Sequence, residues 1–139
     1  MILIDQRSRV PIYEQIQENF EMLVLTGALK RDEQLPGVRT LAKELAINPN
    51  TIAKAYQLME VAGIIYSLPG RGSFIALTAD ELRQRHRPQA LQKFREVTFH
   101  LKEVGVAETE AQAEVSRIYA SPSEGRDKDD SRSESDEKI

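Results

Sequence analysis

Residues 35–65, LPGVRTLAKELAINPNTIAKAYQLMEVAGII, contain the pattern from which the fold of this chain is predicted. This stretch contains two runs of apolar residues at helical spacing, joined by the short turn 46–49. The runs are Val38, Leu41, Ala42 and Leu45, then Ile52, Ala55, Tyr56 and Met59. Asn48 is a preferred helix cap and Pro49 suits the first helical position, so the later helix of this pair is predicted to start there. This spacing is typical of a helix-turn-helix.

A further helix is predicted before this pair. Between Pro11 and Gly27, apolar residues recur at helical spacing, namely Ile12, Ile16, Phe20 and Leu23. Closer to the amino terminus, residues 2–4 form a weak strand candidate.

Two strands are predicted after the helix pair. The triplets 64–66 and 74–76 flank a turn at 68–72 that contains proline and two glycines, which indicates a hairpin. The weak strand candidate at 2–4 could add to that hairpin. Three helices and a hairpin predict an α+β fold, with a winged helix-turn-helix domain over residues 1–77.

Residues 78–120 are predicted to form a small all-α extension of two helices. Thr78 and Glu81 match a capping box that starts the first helix, and Pro88 is expected to kink or break it. Beyond Pro88, a near-heptad stripe consists of Leu91, Phe94, Leu101 and Val104. The last helix is predicted around Ala111, Val115 and Ile118.

The extension needs a partner, because two such helices bury too little surface to form a core of their own. We expect the stripe to be the interface of a homodimer. Packing of the extension on the first domain of a monomer is the alternative.

The chain ends in an acidic tail, residues 121–139, whose one apolar residue besides Pro and Gly is Ile139. It is predicted to be disordered, as a solubilising appendage or as a phosphate mimic. The tail holds 4 basic and 7 acidic residues and supplies the whole net charge of −3. Overall basicity therefore gives no argument for nucleic acid, although residues 39–72 hold four basic and two acidic side chains.

Composition excludes several functional classes. The chain of 139 residues has no cysteine, which excludes a disulfide framework, a thiolate zinc site and a cysteine nucleophile. His86 and His100 belong to no carboxylate–histidine constellation at ligand spacing, so we expect no metal, no cofactor and no enzyme. The absence of a secretory signal and of a long apolar run predicts a cytoplasmic protein without membrane contact.

The predicted third helix carries a polar strip opposite its apolar stripe. The strip consists of Asn50, Lys54 and Gln57, with Thr51 beside it. Asn and Gln can recognise adenine in the major groove, and Lys can meet guanine or phosphate. The alternative is an ordinary solvated helix face.

Two other positions favour DNA binding. Arg39 lies near the start of the second helix, where it would meet phosphate or a base edge, unless it forms a surface salt bridge with Glu44 or Asp32. At the hairpin tip, Arg71 stands between Gly70 and Gly72. The glycines permit close approach to phosphate and the arginine suits a narrow minor groove, although a plain hairpin turn has the same pattern.

Several motifs in order resemble the GntR family of bacterial transcription regulators. They are PIYEQIQENF, Gly27-x-Leu29, LPGVRTLAKEL, NPNTIAKAYQLMEVAGII and GRGSFI. The short extension after the hairpin resembles the YtrA subfamily. Asp32 stands where the family usually has glycine, and aspartate tolerates a left-handed backbone better than most residues.

The resemblance implies that Arg39, Asn50, Thr51, Lys54 and the tip 70–72 contact DNA. It further implies a sequence-specific repressor, a homodimer on an inverted-repeat operator of double-stranded DNA, and an operon for an ABC transporter as its target. The sequence identifies no effector. A winged-helix protein-interaction module without operator recognition is the alternative function.

Overall fold

The computed structural model describes residues 2–122, which form five α-helices and one two-stranded antiparallel sheet. In chain order the elements are α1 (Ile12–Leu25), α2 (Val38–Leu45), α3 (Pro49–Val61), β1 (Ile65–Leu68), β2 (Gly72–Ile75), α4 (Ala79–Glu103) and α5 (Glu108–Ala120). The predicted α+β class is confirmed. Most of the predicted tail, residues 123–139, lies outside the described residues.

Local sequence signals mark the start of α3 and the ends of α1 and α3. The side chain of Asn48 accepts a 2.9 Å hydrogen bond from the backbone N–H of Asn50, so the predicted cap of α3 is confirmed. Gly27 and Gly63 follow α1 and α3 with φ angles of 82° and 74°. Glycine adopts this left-handed conformation without the steric cost that other residues meet.

The core of the first domain lies where α1 and α3 cross, with α2 and the hairpin around them. Phe20 and Tyr56 meet edge to face, with ring centroids 5.9 Å apart. The Tyr56 hydroxyl donates a 2.5 Å hydrogen bond to the carbonyl of Pro36, which links α3 to the segment before α2. Among the fully buried side chains are Ile16, Ile52, Met59, Ile65 and Ile75.

The hairpin pairs Ile65 with Ile75 and Leu68 with Gly72. Its other edge is bonded to the segment before α2, because the N–H of Asp32 donates to the carbonyl of Ile75 and the N–H of Leu35 to that of Ser73, both at 2.8 Å. The expectation that residues 2–4 add a strand is wrong. They run beside α1 instead, where Leu3 exchanges two hydrogen bonds of 3.0 and 2.9 Å with the side chain of Asn19.

Of the kink or break expected at Pro88, the break is also wrong, because α4 is continuous from Ala79 to Glu103. A helical proline leaves the carbonyl four residues earlier, here that of Gln84, without its usual donor. Gln84 and Pro88 are both exposed, so water can satisfy that carbonyl. The predicted capping box is present, since the N–H of Glu81 donates to the Thr78 hydroxyl at 3.2 Å.

The chain divides into two compact units, one ending at Pro88 and the other beginning at Gln89. The first unit contains the predicted winged domain and the start of α4. Leu82 accounts for the inclusion of the start of α4, because its side chain is 1% exposed and belongs to the core of the first unit. The described part of the second unit consists of the rest of α4 and of α5, and none of the α5 residues is buried.

Candidate nucleic-acid interface

Helix α3 exposes the polar strip that its sequence predicted. Asn50, Lys54 and Gln57 are exposed and Thr51 is half-buried. The opposite side of the helix is fully covered by the core, with Ile52, Ala55 and Met59 at 0% exposure. The strip is therefore free to enter a groove without disturbing the packing of α3.

Lys54 has a neighbour that sequence reasoning missed. Its ammonium nitrogen Nζ lies 4.4 Å from the centroid of the Tyr13 ring, a cation–π distance. Tyr13 is in the first turn of α1, beside the apolar stripe rather than within it. The ring limits the directions in which the Lys54 side chain can point. A contact between residues so far apart in sequence leaves no signal in local periodicity.

Arg39 lies in the first turn of α2 and is exposed. Among residues 2–122 it forms no ion pair with Glu44 or Asp32, the two partners considered from sequence. Asp32 instead accepts a 2.8 Å hydrogen bond from the Tyr66 hydroxyl. The guanidinium of Arg39 is thus available to an external anion.

The hairpin tip holds Arg71 between two glycines with left-handed backbone, Gly70 at φ 73° and Gly72 at φ 115°. Gln34, which sequence reasoning also missed, donates a 2.8 Å hydrogen bond from Nε2 to the Arg71 carbonyl. A Cβ atom on Gly72 would lie 2.7 Å from that same Nε2, closer than real Cβ contacts allow. Gln34 therefore fixes the backbone of the tip, while the Arg71 side chain remains exposed.

Two arginines near the start of α4, Arg83 and Arg85, bond to helix ends of the first domain. Arg83 Nη2 donates a 3.1 Å hydrogen bond to the carbonyl of Leu25 at the end of α1. Arg85 donates to the carbonyl of Ala62, which caps α3. These bonds satisfy carbonyl groups that helix ends leave free.

The four predicted interface residues lie in the second unit. Leu91, Phe94 and Val104 are 46%, 52% and 60% exposed, and Leu101 is half-buried. Phe94 and Leu101 meet in an apolar groove of about 540 Å³ between α4 and α5, together with Ala111. Leu91 and Val104 lie outside the residues that line it. Other exposed apolar residues of this unit include Val97, Phe99, Ile118 and Tyr119.

Within residues 2–122, neither histidine belongs to a metal-binding group. His86 Nε2 lies 3.2 Å from a carboxylate oxygen of Glu21, and His100 Nδ1 lies 4.0 Å from one of Glu103. Within residues 2–122, no three His, Cys, Asp or Glu side chains are placed to hold a metal ion. No helix in that part of the chain is long and apolar enough to cross a membrane.

A helix-turn-helix with an exposed polar strip on its second helix, and a hairpin tipped by arginine, define a winged-helix DNA-binding protein. Residues 12–75 match the gntR family of bacterial regulatory proteins. The uncharacterized HTH-type transcriptional regulator YhcF of Bacillus subtilis is 35% identical over 107 residues, 75% of this chain and 86% of YhcF. The chain belongs to the GntR family and is a DNA-binding transcription regulator.

Two other proteins extend the comparison. The HTH-type transcriptional repressor YtrA of Bacillus subtilis is 49% identical over 79 residues, which are 57% of this chain and 61% of YtrA. The similar region thus spans less than two thirds of that repressor. The crystal structure of a transcriptional regulator from Oenococcus oeni superposes with a TM-score of 0.71 at 29% identity, covering 86% of this chain and 100% of that one. Because the family and these relatives are transcription regulators, the prediction that the chain is not an enzyme is confirmed.

Proposed function

We propose that this regulator is a cytoplasmic repressor that binds, as a homodimer, an inverted-repeat operator in double-stranded DNA. The observation that carries the proposal is the exposed polar strip of α3 at Asn50, Lys54 and Gln57, which lies opposite a fully buried side. In the proposed complex, α3 enters the major groove and these side chains meet base edges. Asparagine and glutamine suit adenine, and lysine suits guanine.

Arg39 and Arg71, which precede and follow α3 in the sequence, would add DNA contacts to those of the strip. Arg39 would neutralise a backbone phosphate from the first turn of α2, and Thr51 would add a hydroxyl contact. Arg71 would enter the minor groove, with Gly70 and Gly72 allowing the backbone to come close to the sugar-phosphate chain. Both arginines are exposed and make no side-chain hydrogen bond or ion pair among residues 2–122.

The exposed apolar surface of the second unit supports dimerisation. A contiguous groove lined by Phe94, Leu101 and Ala111, with Leu91 and Val104 exposed beyond it, would be an aggregation liability in a monomer. A second copy of the same two helices offers the same apolar stripe and would cover it in a four-helix arrangement.

A two-fold dimer would present two α3 helices to successive major grooves, about 34 Å apart along one face of the duplex. Occupation of such a site near a promoter would hinder RNA polymerase, which is the proposed mode of repression. The subfamily resemblance points to an operon for an ABC transporter as the target.

The test is a footprint of the full chain on the intergenic DNA upstream of its own coding gene. We expect protection of an inverted repeat with half-site centres one helical turn apart, or a multiple of it. Asn50→Ala and Lys54→Ala should each reduce the preference for that site over base-substituted versions by about 1–3 kcal/mol. Lys93→Ala, an exposed lysine in the second unit, is the charge-matched control and should leave the preference unchanged.

Two results would overturn the proposal. Equal affinity for the intergenic DNA and for a random-sequence duplex would exclude operator recognition. An affinity that stays constant between about 50 and 200 mM salt excludes the proposed phosphate contacts. With those contacts, the affinity should fall roughly 10³-fold over that range. The second result favours the protein-interaction module.

A further inference from the structure

The loop before α1 is held in one conformation by a single buried side chain. Gln15 is 8% exposed, and its Nε2 donates hydrogen bonds of 2.9 and 2.8 Å to the carbonyls of Asp5 and Val10, the two ends of the loop. Its Oε1 accepts a 2.8 Å hydrogen bond from the N–H of Asp5. All three hydrogen bonds of this side chain therefore serve the loop.

The interior of the loop is bonded as well. The Asp5 carboxylate accepts a 2.9 Å hydrogen bond from the N–H of Arg7, and the Ser8 hydroxyl accepts a 3.1 Å hydrogen bond from that of Val10. The N–H of Ser8 donates to the Asp5 carbonyl at 3.3 Å. These bonds use backbone groups and short side chains, so the arrangement fixes the backbone without involving the two arginine side chains.

Those two side chains, of Arg7 and Arg9, are exposed and unpaired. Neither guanidinium has a hydrogen bond or an ion pair among residues 2–122. Asp5, the acidic residue nearest to them in sequence, already accepts a hydrogen bond from a backbone group. Because the loop backbone is already fixed, less backbone entropy is lost when these arginines bind an anion than would be lost in a flexible loop.

The loop leads directly into the part of α1 that borders the polar strip of α3. It is followed by Pro11 and by the first turn of α1, where the Tyr13 ring contacts Lys54 at 4.4 Å. A helix in the major groove is flanked on both sides by phosphate chains, because the groove is only about 12 Å wide. Groups beside α3 therefore approach phosphates rather than bases.

We infer that the loop at residues 5–10 is a further DNA-contacting element, in which Arg7 and Arg9 bind backbone phosphates next to the groove that α3 occupies. This inference rests on the proposed entry of α3 into the major groove. The guanidinium fork matches phosphate oxygens in a bidentate geometry, and the contact adds affinity without sequence preference.

The test measures the salt dependence of binding between the full chain and a labelled random-sequence duplex. Removal of one phosphate contact reduces the steepness of log K against log salt by about 0.9, so Arg7→Ala/Arg9→Ala should reduce it by roughly 2 per bound chain. Arg7→Lys/Arg9→Lys keeps both charges and should keep most of the slope. Lys93→Ala is a control outside the loop and should leave the slope unchanged. Both arginines are exposed, so the variants should fold as the parent chain does.

The outcomes separate this inference from the proposed function. A double variant that keeps the full salt slope, while the parent chain still protects its operator, overturns the loop contact alone. The loop contact with phosphate is also overturned if the double variant keeps its salt slope but loses discrimination between operator sequences. In that case the two arginines would recognise bases. A parent chain that binds no duplex at all overturns both.

Discussion

The Tyr66 hydroxyl donates a 2.8 Å hydrogen bond to the carboxylate of Asp32, and this bond joins the first strand of the hairpin to the segment before α2. The hydrogen bond, more than any other cause, raises the pKa of Tyr66 above its ordinary value. Asp32 has a left-handed backbone, with φ at 70°. The left-handed position of Asp32 is thus accommodated by the backbone tolerance of aspartate and by a partner for its side chain.

Asp32→Ala should lower the free energy of unfolding by about 1–2 kcal/mol, because alanine meets the full left-handed penalty and leaves the Tyr66 hydroxyl without its acceptor. Asp32→Asn should cost clearly less, since asparagine tolerates the same backbone and still offers an oxygen. Urea unfolding of both variants is the measurement. Equal losses in the two would show that the carboxylate charge is what matters.

A second prediction concerns the contact between Tyr13 and Lys54. Tyr13→Ala frees the lysine side chain, and we expect it to reduce discrimination at the base that Lys54 reads by about twofold to fivefold, since an exposed cation–π contact is worth about 0.5–1 kcal/mol. Tyr13→Phe keeps the ring and should keep the discrimination. Competition binding with operator variants measures both. A loss in Tyr13→Phe as large as in Tyr13→Ala would mean that the hydroxyl, not the ring, is the contributing group.

A third prediction concerns the hairpin tip. Gly72→Ala should weaken binding to all DNA sequences alike, because its Cβ displaces Gln34 and alanine disfavours a φ of 115°. Gln34→Ala should weaken binding by a smaller factor, since it removes only the hydrogen bond to the Arg71 carbonyl. Affinities for a random-sequence duplex give the comparison. Full affinity in Gly72→Ala would show that the geometry of the tip is not needed for binding.

These contacts mark the limit of what the sequence predicts. The helices α1 to α3 and the cap at Asn48 follow from periodicity and from local hydrogen bonding, which operate over a few residues. The fixation of Arg71 by Gln34 and the packing of Tyr13 on Lys54 join distant positions, so no local pattern contains them.

Pro88 illustrates a different limit. Its ring and missing N–H argue for a helix break. The free-energy cost of keeping the helix intact depends on whether water reaches the unpaired carbonyl four residues earlier. Only the exposure of Gln84 and Pro88 in the fold answers that question. In the same way, Leu82 extends the first compact unit into α4, which the apolar pattern of α4 alone did not indicate.

A fourth prediction is alkaline destabilisation through Tyr56. Burial, and secondarily the charge of Glu44, raise the pKa of Tyr56 far above its ordinary value near 10. The folded chain then keeps a proton that the unfolded chain loses, so the stabilisation is complete below about pH 10 and is lost as the pH rises further. Urea unfolding at about pH 8 and about pH 11 should show the parent losing more stability than Tyr56→Phe, by up to about 1.4 kcal/mol per pH unit. Parallel losses would assign the effect to other groups.

The last prediction concerns the apolar groove of the second unit. Phe94 is half exposed, Leu101 is half-buried, and both line the groove between α4 and α5. A carboxylate introduced there would lose its water in a dimer but would remain hydrated in a monomer. Phe94→Glu and Leu101→Glu in the full chain should therefore shift the protein from dimer to monomer while the helical content stays that of the parent chain.

Sedimentation equilibrium at micromolar concentration measures the shift, and Lys93→Glu, one residue from Phe94 but outside the groove lining, is the control that should remain dimeric. The same variants should bind the full inverted repeat at least about 10²-fold more weakly, because two linked half-site contacts gain from effective concentration. Their affinity for a random-sequence duplex should change far less, since each winged domain keeps its own contacts. A parent chain that is monomeric under these conditions removes both the interface and the repression by a two-fold complex that depends on it.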